Sequence, residues 1–481
     1  MDIGLSQASA SGNHASRVQH GMPRYRVQSL IVVKNTARKL KSKVSSARSA
    51  AFDVLMRVGQ EDSYASELLH SSKLSHLSGA DHGLATEIVM GVLRWQSSLD
   101  AAIAKVSTQR LQKMDPEVLV ALRMGAYQLL YLERVPAHAA VHESVELVRR
   151  ARKSSAVAFL NAVLRKLSAA KLAMLLGSGK SARNLMEQYA HPEWLVARWA
   201  AQYGWETAEA ICAYDQKVPR ISVRFRDAGV EEELKKENIE FAPGALLTSA
   251  RIVLSGNVAR TQAFKQGRVG IQDEASQLVA LLVGEGRVLD CCAAPGGKTA
   301  LLANRNPDAK IVAVDIHPHR ARLLRNLVGA ANVMVVAADA RQLPFSAQFE
   351  NVLVDAPCSG TGTLARNPEI KWKLRPEDLD DLRTRQLEIL RSAAARTTSG
   401  GKVVYSTCSL EPDENQQVIE QFLSEHPSFK ILECSRELER LKSQGELGWG
   451  EIDSLVKGPY LRTIPGIHPC DGFFTAIMQR Y

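Results

Sequence analysis

The sequence predicts a multidomain chain: an all-α domain first, a small α/β module second, and last an α/β domain on a doubly wound parallel sheet of Rossmann-like type. Three observations predict it. At 481 residues the chain exceeds a single ordinary core of roughly 100–200 residues. In its first third the apolar residues recur at helical spacing. From Arg268 onward, short apolar runs alternate with helical stretches, the order that parallel strands and their crossover helices require.

Bulk properties narrow the class. A hydrophobic share of 45% and a charged share of 23% belong to a folded globular protein and exclude a disordered or fibrous one. The most apolar stretch, Val118 to Leu132, is interrupted by Arg123 and is too short to cross a bilayer, so no membrane partner is expected. A net charge of +10 favours a polyanionic partner, although charge alone does not separate nucleic acid from other acidic surfaces. Seven cysteines, an odd number scattered along a chain with no signal-peptide pattern, point to reduced thiols and a cytoplasmic protein.

The elements follow in order. Residues 1–45 hold one acidic residue, Asp2, among Ser, Arg and Lys, and read as a disordered basic tail; an RNA-touching arm or a transit peptide are the alternatives. Residues 46–180 read as a helical bundle: Val141, Val145 and Val148 repeat at i, i+4 and i+7, and Leu160, Val163, Leu164 and Leu167 continue the pattern. Arg149 and Arg150 close a predicted helix, where cations suit either the helix dipole or a phosphate. Residues 181–267 carry β-like runs, Arg220–Arg226 and Arg251–Gly256, between helical and Pro/Gly segments, a small α/β module for which the resemblance given below implies RNA binding. Residues 268–481 supply six strands, "RVLDC", "KIVAVDI", "VMVVAAD", "NVLVDAP", "GKVVYST" and "GFFTAIMQRY".

The first of those strands runs into "CAAPGGK", Cys292, Ala293, Ala294, Pro295, Gly296, Gly297 and Lys298. Gly296 and Gly297 let the backbone approach a ligand, and the helix that follows offers free N–H groups at its start. Gly297-Lys298-Thr299 invites a nucleotide P-loop reading, which fails because Cys292 stands where that motif needs glycine. Asp315, eighteen residues after Gly297, ends the second strand where a carboxylate accepts ribose hydroxyls, and Asp339 ends the third on the adenine side. His317 and His319 lack companions with ligand spacing, so no metal is expected.

The fourth strand delivers Asp355 and Cys358, and the fifth delivers Cys408, all at the carboxyl edge where this fold binds ligands. Carbon 5 of cytosine is too electron-poor to attack a sulfonium methyl, but a thiolate added at carbon 6 makes it an enamine carbon that can. A carboxylate such as Asp355 can hold the base and stabilise the charge that develops. Chemistry alone does not choose between the two thiols. Arg366, Lys371 and Trp372 follow closely enough to touch RNA, Trp372 by stacking on a base or serving as a buried anchor.

"GVLRWQSSLD" (Gly91–Asp100), the segment Leu122–Arg150 and "FLNAVLRKL" (Phe159–Leu167) resemble the NusB family of all-helical RNA-binding domains. "DCCAAPGGKT", "DAPCSGTG", "RNPEIKW", "YSTCSLEPDENQQVI" and "DGFF" resemble the Nol/Nop/Sun family of RNA 5-methylcytosine methyltransferases. The resemblance implies S-adenosylmethionine (SAM) as cofactor, held by Cys292–Lys298 with Asp315, Asp339 and Asp355. It implies Cys408 as nucleophile and Cys358 as the thiol that assists release. It also implies RNA, the 16S ribosomal RNA, as substrate of a monomeric enzyme. Ala365 departs from the family pattern, where a second basic residue is expected before Arg366. Three competing readings remain: a NusB-like assembly factor with a vestigial catalytic domain, a methyltransferase of another RNA such as tRNA, and a protein methyltransferase. The last would want an Asn-Pro-Pro-Tyr type segment where Asp355-Ala356-Pro357-Cys358 stands.

Overall fold

The computed structural model describes residues 44–61, 63–170 and 181–481. The expected basic tail therefore falls outside the described residues, apart from Val44 and Ser45. The helical domain starts immediately after it. Ser45 donates its backbone N–H to Glu143 at 2.9 Å, and buried Arg48 bridges Glu143 and Gln128 at 2.9 and 2.6 Å, so polar groups brought inside are paired.

Among the described residues, six helices of eleven residues or more build this domain: Ser46–Gln60, Gly79–Arg94, Gln96–Val106, Pro116–Tyr131, Ala137–Arg150 and Val157–Ala170. Pro116 opens its helix at a position whose N–H would be unpaired anyway, and Ser78 caps another by accepting from the Asp81 N–H. One core, including Ile88, Leu99, Ile103, Leu122, Met124 and Leu160, joins them. The periodic set Leu160, Val163, Leu164 and Leu167 is buried throughout, and Arg123, which breaks the apolar stretch, leaves the core to pair with Asp100 through two 2.7 Å bonds. Among the described residues no helix is long and apolar enough to cross a membrane.

Three further helices, Ala182–Tyr189, Glu193–Tyr203 and Trp205–Asp215, precede the small sheet. They differ from expectation in where they pack. Leu195, Trp199 and Ile211 share a core with Leu364, Ile370 and Leu410 of the last domain, not with the small sheet, because Trp199 finds its buried partners there. The small sheet comprises β1 (Ile221–Phe225), β2 (Glu240–Pro243), β3 (Ala250–Ser255) and β4 (Val269–Ile271), all antiparallel in the order β2-β3-β1-β4. Helices Val230–Lys236 and Gln262–Lys265 complete a β-α-β-β-α-β order. β4 lies beyond the expected boundary at residue 267, since Val223, Phe225 and Val269 need each other to close the core.

The last domain is a nine-stranded sheet. Its strands are β5 (Val288–Cys291), β6 (Ile311–Asp315), β7 (Val333–Ala337), β8 (Phe349–Asp355), β9 (Thr397–Thr407), β10 (Phe429–Leu432), β11 (Val456–Lys457), β12 (Tyr460–Thr463) and β13 (Phe473–Arg480). The order β7-β6-β5-β8-β9 is parallel, as expected. The doubly wound sheet is extended at β13, which runs antiparallel to β9 and carries β12 and β10 antiparallel to itself, so that the sheet is mixed. Successive residues of the parallel strands enter different cores: Val288 and Leu353 pack on one face, Leu289 and Val352 on the other. Burial on both faces explains the unbroken apolar runs in the sequence. The chain leaves β5 toward β6 and β7, then returns to β8 and β9, so the strand order reverses between β5 and β8 and opens a crevice at their carboxyl ends.

Candidate active site

That crevice is a cavity of about 610 Å³. Two loops put sulfur into it. β8 and β9 run in register, Val354 beside Tyr405 and Asp355 beside Ser406, so the residues just past their ends come level. Cys358 and Cys408 then stand with their sulfurs 3.4 Å apart, and both line the cavity. The neighbours of the thiols are tied to one buried carboxylate: Glu414 accepts from the Ser359 N–H at 2.8 Å, from both the Ser359 and Ser409 hydroxyls, and from Gln386 at 2.9 Å. Gln386 also donates to the Pro357 carbonyl at 3.0 Å, and Tyr405 donates to the Glu414 carbonyl at 2.7 Å. Glu414 lies inside a quoted motif but received no role from the sequence; its signal was a carboxylate five residues after a serine, too common to single out.

Gly362 explains the end of "DAPCSGTG". Its N–H donates to the Cys408 carbonyl at 2.9 Å and its carbonyl accepts from the Gly472 N–H at 2.8 Å, and a β-carbon there would lie 2.1 Å from the Gly472 oxygen. Three motif loops cross at this point with no room for a side chain.

Electrostatics distinguish the groups. The Cys358 thiol is held well above the usual range, first by its hydrogen bond with Cys408 and then by burial. Asp355 accepts from Lys298 at 2.8 Å and from the Ser406 hydroxyl at 2.9 Å, which fixes both oxygens. Lys298 also lies 5.1 Å over the Phe473 ring. Beneath them Asp290, fully buried, is pushed up to about 7 by burial; one oxygen accepts from Thr299 at 2.6 Å, and the other has no hydrogen-bond partner among the described residues.

At the other end of the cavity stand Cys292, Ala294, Asp315 and Asp339. Cys292 takes a left-handed φ of 60°, which turns the chain from β5 into the loop, and Arg320 donates to the Ala294 carbonyl at 3.1 Å. Gly296, φ 115°, caps helix Gly297–Arg305, and a β-carbon on it would strike Leu324 at 2.7 Å. The need at Gly296 is thus a turn and close helix packing; Ala293, Pro295, Gly296, Gly297 and Lys298 shape the loop behind the cavity wall. Asp315 accepts from the His317 N–H at 3.0 Å, and Asp339 accepts from the Arg341 backbone and guanidinium, which holds its carboxyl below the usual range. Arg320, Arg341 and Arg385 lend the rim positive charge that sequence reasoning missed. His317 and His319 are exposed, and no group of three metal-ligating side chains occurs among the described residues.

The residues expected to touch RNA have other placements. Lys371 is 1% exposed and donates to the Arg94 and Ala190 carbonyls at 3.0 Å each; burial pulls its ammonium down to about 7. It cannot reach RNA, because it is sealed where the helical, middle and catalytic segments meet. Trp372 is partly buried and donates to the Leu93 carbonyl at 2.6 Å, the anchor reading rather than the stacking one. Arg366 bridges Asp471 at 2.7 Å and Asp273 at 2.9 Å, so its charge is consumed inside the protein. Ala365, the departure from the family pattern, is buried and its carbonyl accepts from Arg94 at 3.1 Å, leaving no space for a longer basic side chain. Arg149 and Arg150 remain on the surface, paired with Glu146 and with Asp53.

Comparison with known proteins agrees with this architecture. Residues 279–479 match the family model described as 16S rRNA methyltransferase RsmB/F, residues 45–169 match the NusB family, and residues 191–259 match the ferredoxin-like domain of RsmF/B-like methyltransferases. The chain is 35% identical over 454 residues to a probable ribosomal RNA small subunit methyltransferase B of Bacillus subtilis, covering 91% of this chain and 99% of that one. It is 35% identical over 433 residues to ribosomal RNA small subunit methyltransferase B of Pseudomonas syringae, covering 84% and 90%. It shares its fold with the crystal structure of PH0851, at a TM-score of 0.74 and 24% identity over 91% of this chain and 99% of that one.

Proposed function

Because the chain belongs to the family of ribosomal RNA small subunit methyltransferase B, we propose that it methylates carbon 5 of a cytosine in 16S ribosomal RNA through an adduct with Cys408. The observation that carries the reading is the pair of thiols 3.4 Å apart beside Asp355 in one cavity. A ribosomal RNA substrate implies the cytoplasm.

The cavity fits SAM by its donor set. Asp315 and Asp339 present carboxylates suited to ribose hydroxyls and an adenine amine, and the turn at Cys292 and Ala294 lies beside them. SAM, when bound, supplies an electrophilic methyl group. The chain's own residues do the rest. The Cys408 thiolate forms a bond to carbon 6, and the electrons of the 5,6 double bond make carbon 5 nucleophilic. Asp355, fixed by Lys298 and Ser406, accepts from the base's exocyclic amine and from ring nitrogen 3, which takes a proton from water during the addition and returns it when the thiolate is eliminated. Cys358 is kept protonated chiefly by its bond to the Cys408 sulfur. Once that sulfur is bonded to carbon, the largest of the causes that hold the thiol up is gone, while burial and Glu414 still act, and Cys358 gives its proton to water at the cavity mouth before it serves as base. It then takes the carbon 5 proton, the electrons left behind restore the double bond, and Cys408 leaves as a thiolate. The base must be unstacked beforehand, since carbon 6 is unreachable within a helix stack.

The test is an adduct assay with SAM and unmethylated 16S RNA on a denaturing gel. Cys358→Ala is expected to accumulate a covalent protein–RNA band and Cys408→Ala to form none. The reverse pattern would move the nucleophile to Cys358. No adduct from either variant, together with no methyl transfer by wild type, would remove this substrate.

A further inference from the structure

Among the described residues of the helical domain, Tyr64 lines the cavity, and its position is set by contacts on both flanks. Before it, the Lys373 ammonium bonds the carbonyls of Glu61 and Ser63 at 3.1 and 3.0 Å; after it, the Ala65 N–H donates to Glu369 at 2.7 Å and Ser66 to Asn367 at 3.2 Å. The main chain around Tyr64 is thus fixed against the segment that follows the Cys358 loop. Tyr64 is 43% exposed and lines the same cavity as Asp355, Cys358 and Cys408.

Its wall is continuous with the thiols. Ile370 follows Glu369 directly and abuts Gly360, two residues past Cys358: a β-carbon on Gly360 would meet the Ile370 side chain at 2.9 Å. Asn367 donates to Thr363, which donates to the Gly360 carbonyl at 2.9 Å. Tyr64 therefore borders the thiol end of the cavity, beside Asn367 and Ile370, whereas Asp339 and Arg341 belong to the opposite end.

We infer that Tyr64 is the stacking platform for the unstacked cytosine, contributed to the active site by the helical domain. A base leaving its stack loses aromatic contact on both faces, and a ring held at the entrance restores one of them. A tyrosine on an ordered main chain has two side-chain torsions to fix, so stacking costs little further ordering. The inference rests on the cytosine-methylation reading above. It also means that the site is incomplete without the helical domain.

The test uses full-length wild type, Tyr64→Phe and Tyr64→Ala, measuring methyl transfer to a 16S RNA fragment, adduct formation with the same fragment carrying 5-fluorocytosine, and SAM affinity. Loss of one base-stacking contact corresponds to roughly a 10- to 100-fold fall in kcat/KM for RNA. Tyr64→Ala is expected to show it, with a parallel loss of adduct and with SAM affinity and thermal midpoint unchanged. Tyr64→Phe is expected within about threefold of wild type, because the ring and not the hydroxyl is used. Undiminished activity in Tyr64→Ala overturns the inference. So does a Tyr64→Phe variant as weak as Tyr64→Ala, or a loss of SAM affinity that explains the whole defect. Should wild type itself place no methyl group on cytosine, the underlying reading has failed and this inference with it, an outcome distinct from failure of the variant alone.

Discussion

A residue's chemistry was visible in the sequence when its type and its place at a strand end sufficed, and hidden when its tertiary surroundings decided. Asp315, Asp355, Cys358 and Cys408 all reach the cavity from strand ends counted on the sequence. Lys371 did not follow its sequence reading, because a lysine among basic neighbours reads as solvated and nothing local announces that three segments enclose it. Asp290 is a second hidden case with a measurable consequence. Its folded value of about 7 lies above the roughly 3.9 of an unfolded aspartate, so between those values the folded chain binds more protons than the unfolded chain. Stability from this group is therefore full at low pH and falls as pH rises from about 4 to 7, then levels. Asp290→Asn, which keeps an acceptor for Thr299, is expected to remove that component. Thermal midpoints of both proteins across this range check it, and parallel profiles would show that Asp290 does not titrate there. Neighbouring Asp355 and Lys298 bear on the same group and are unchanged in the comparison.

Among elements, the five parallel strands were legible because burial on both faces writes an apolar run that turn residues punctuate. The direction of β13 was not. An antiparallel strand between β9 and β12 has the same apolar composition as a parallel one, and only the chain's return path sets its polarity. β10, β11 and β12 escaped notice for a different reason: each has four residues or fewer, and none is buried throughout. The three helices before the small sheet were not resolved one by one in the sequence, which showed only helical segments in an α/β module, and their packing on the last domain depends on Trp199 and Leu195 finding partners far along the chain. The crossing of loops at Gly362 gives the prediction proper to this scale. A methyl group there meets main chain, which cannot rotate away, so Gly362→Ala should cost about 3 kcal/mol by overpacking and part the two cysteine loops. Denaturant unfolding measures the first effect and adduct yield the second. A variant with native stability and full adduct would show that the loops can separate without harm.

For the whole molecule, the sequence conveyed the sequence of parts but not how they hold together. The segment Arg366–Trp372 looked like an RNA contact and is a fastening between the helical and catalytic parts. Removing a phosphate contact lowers the slope of log affinity against log salt by about one. Lys371→Met is expected to leave that slope unchanged while loosening the junction, seen as faster amide exchange near Leu93 and Arg94. A slope reduced by about one would return Lys371 to the RNA.

The fastening has a property that lies in the atoms it uses. Arg94 grips the carbonyl of Ala365, Lys371 those of Arg94 and Ala190, Trp372 that of Leu93, and Lys373 those of Glu61 and Ser63. A carbonyl is the same at every residue, so the grasped side of this joint is written in no particular amino acid. Surface substitutions at Glu61 and Ser63 can accumulate without undoing it, whereas the few grasping side chains have no such latitude. Drift is therefore tolerated at the residues that lend only a carbonyl and resisted at the grasping side chains, which stand on both sides of the joint: Arg94 in the helical domain, and Lys371, Trp372 and Lys373 in the catalytic one.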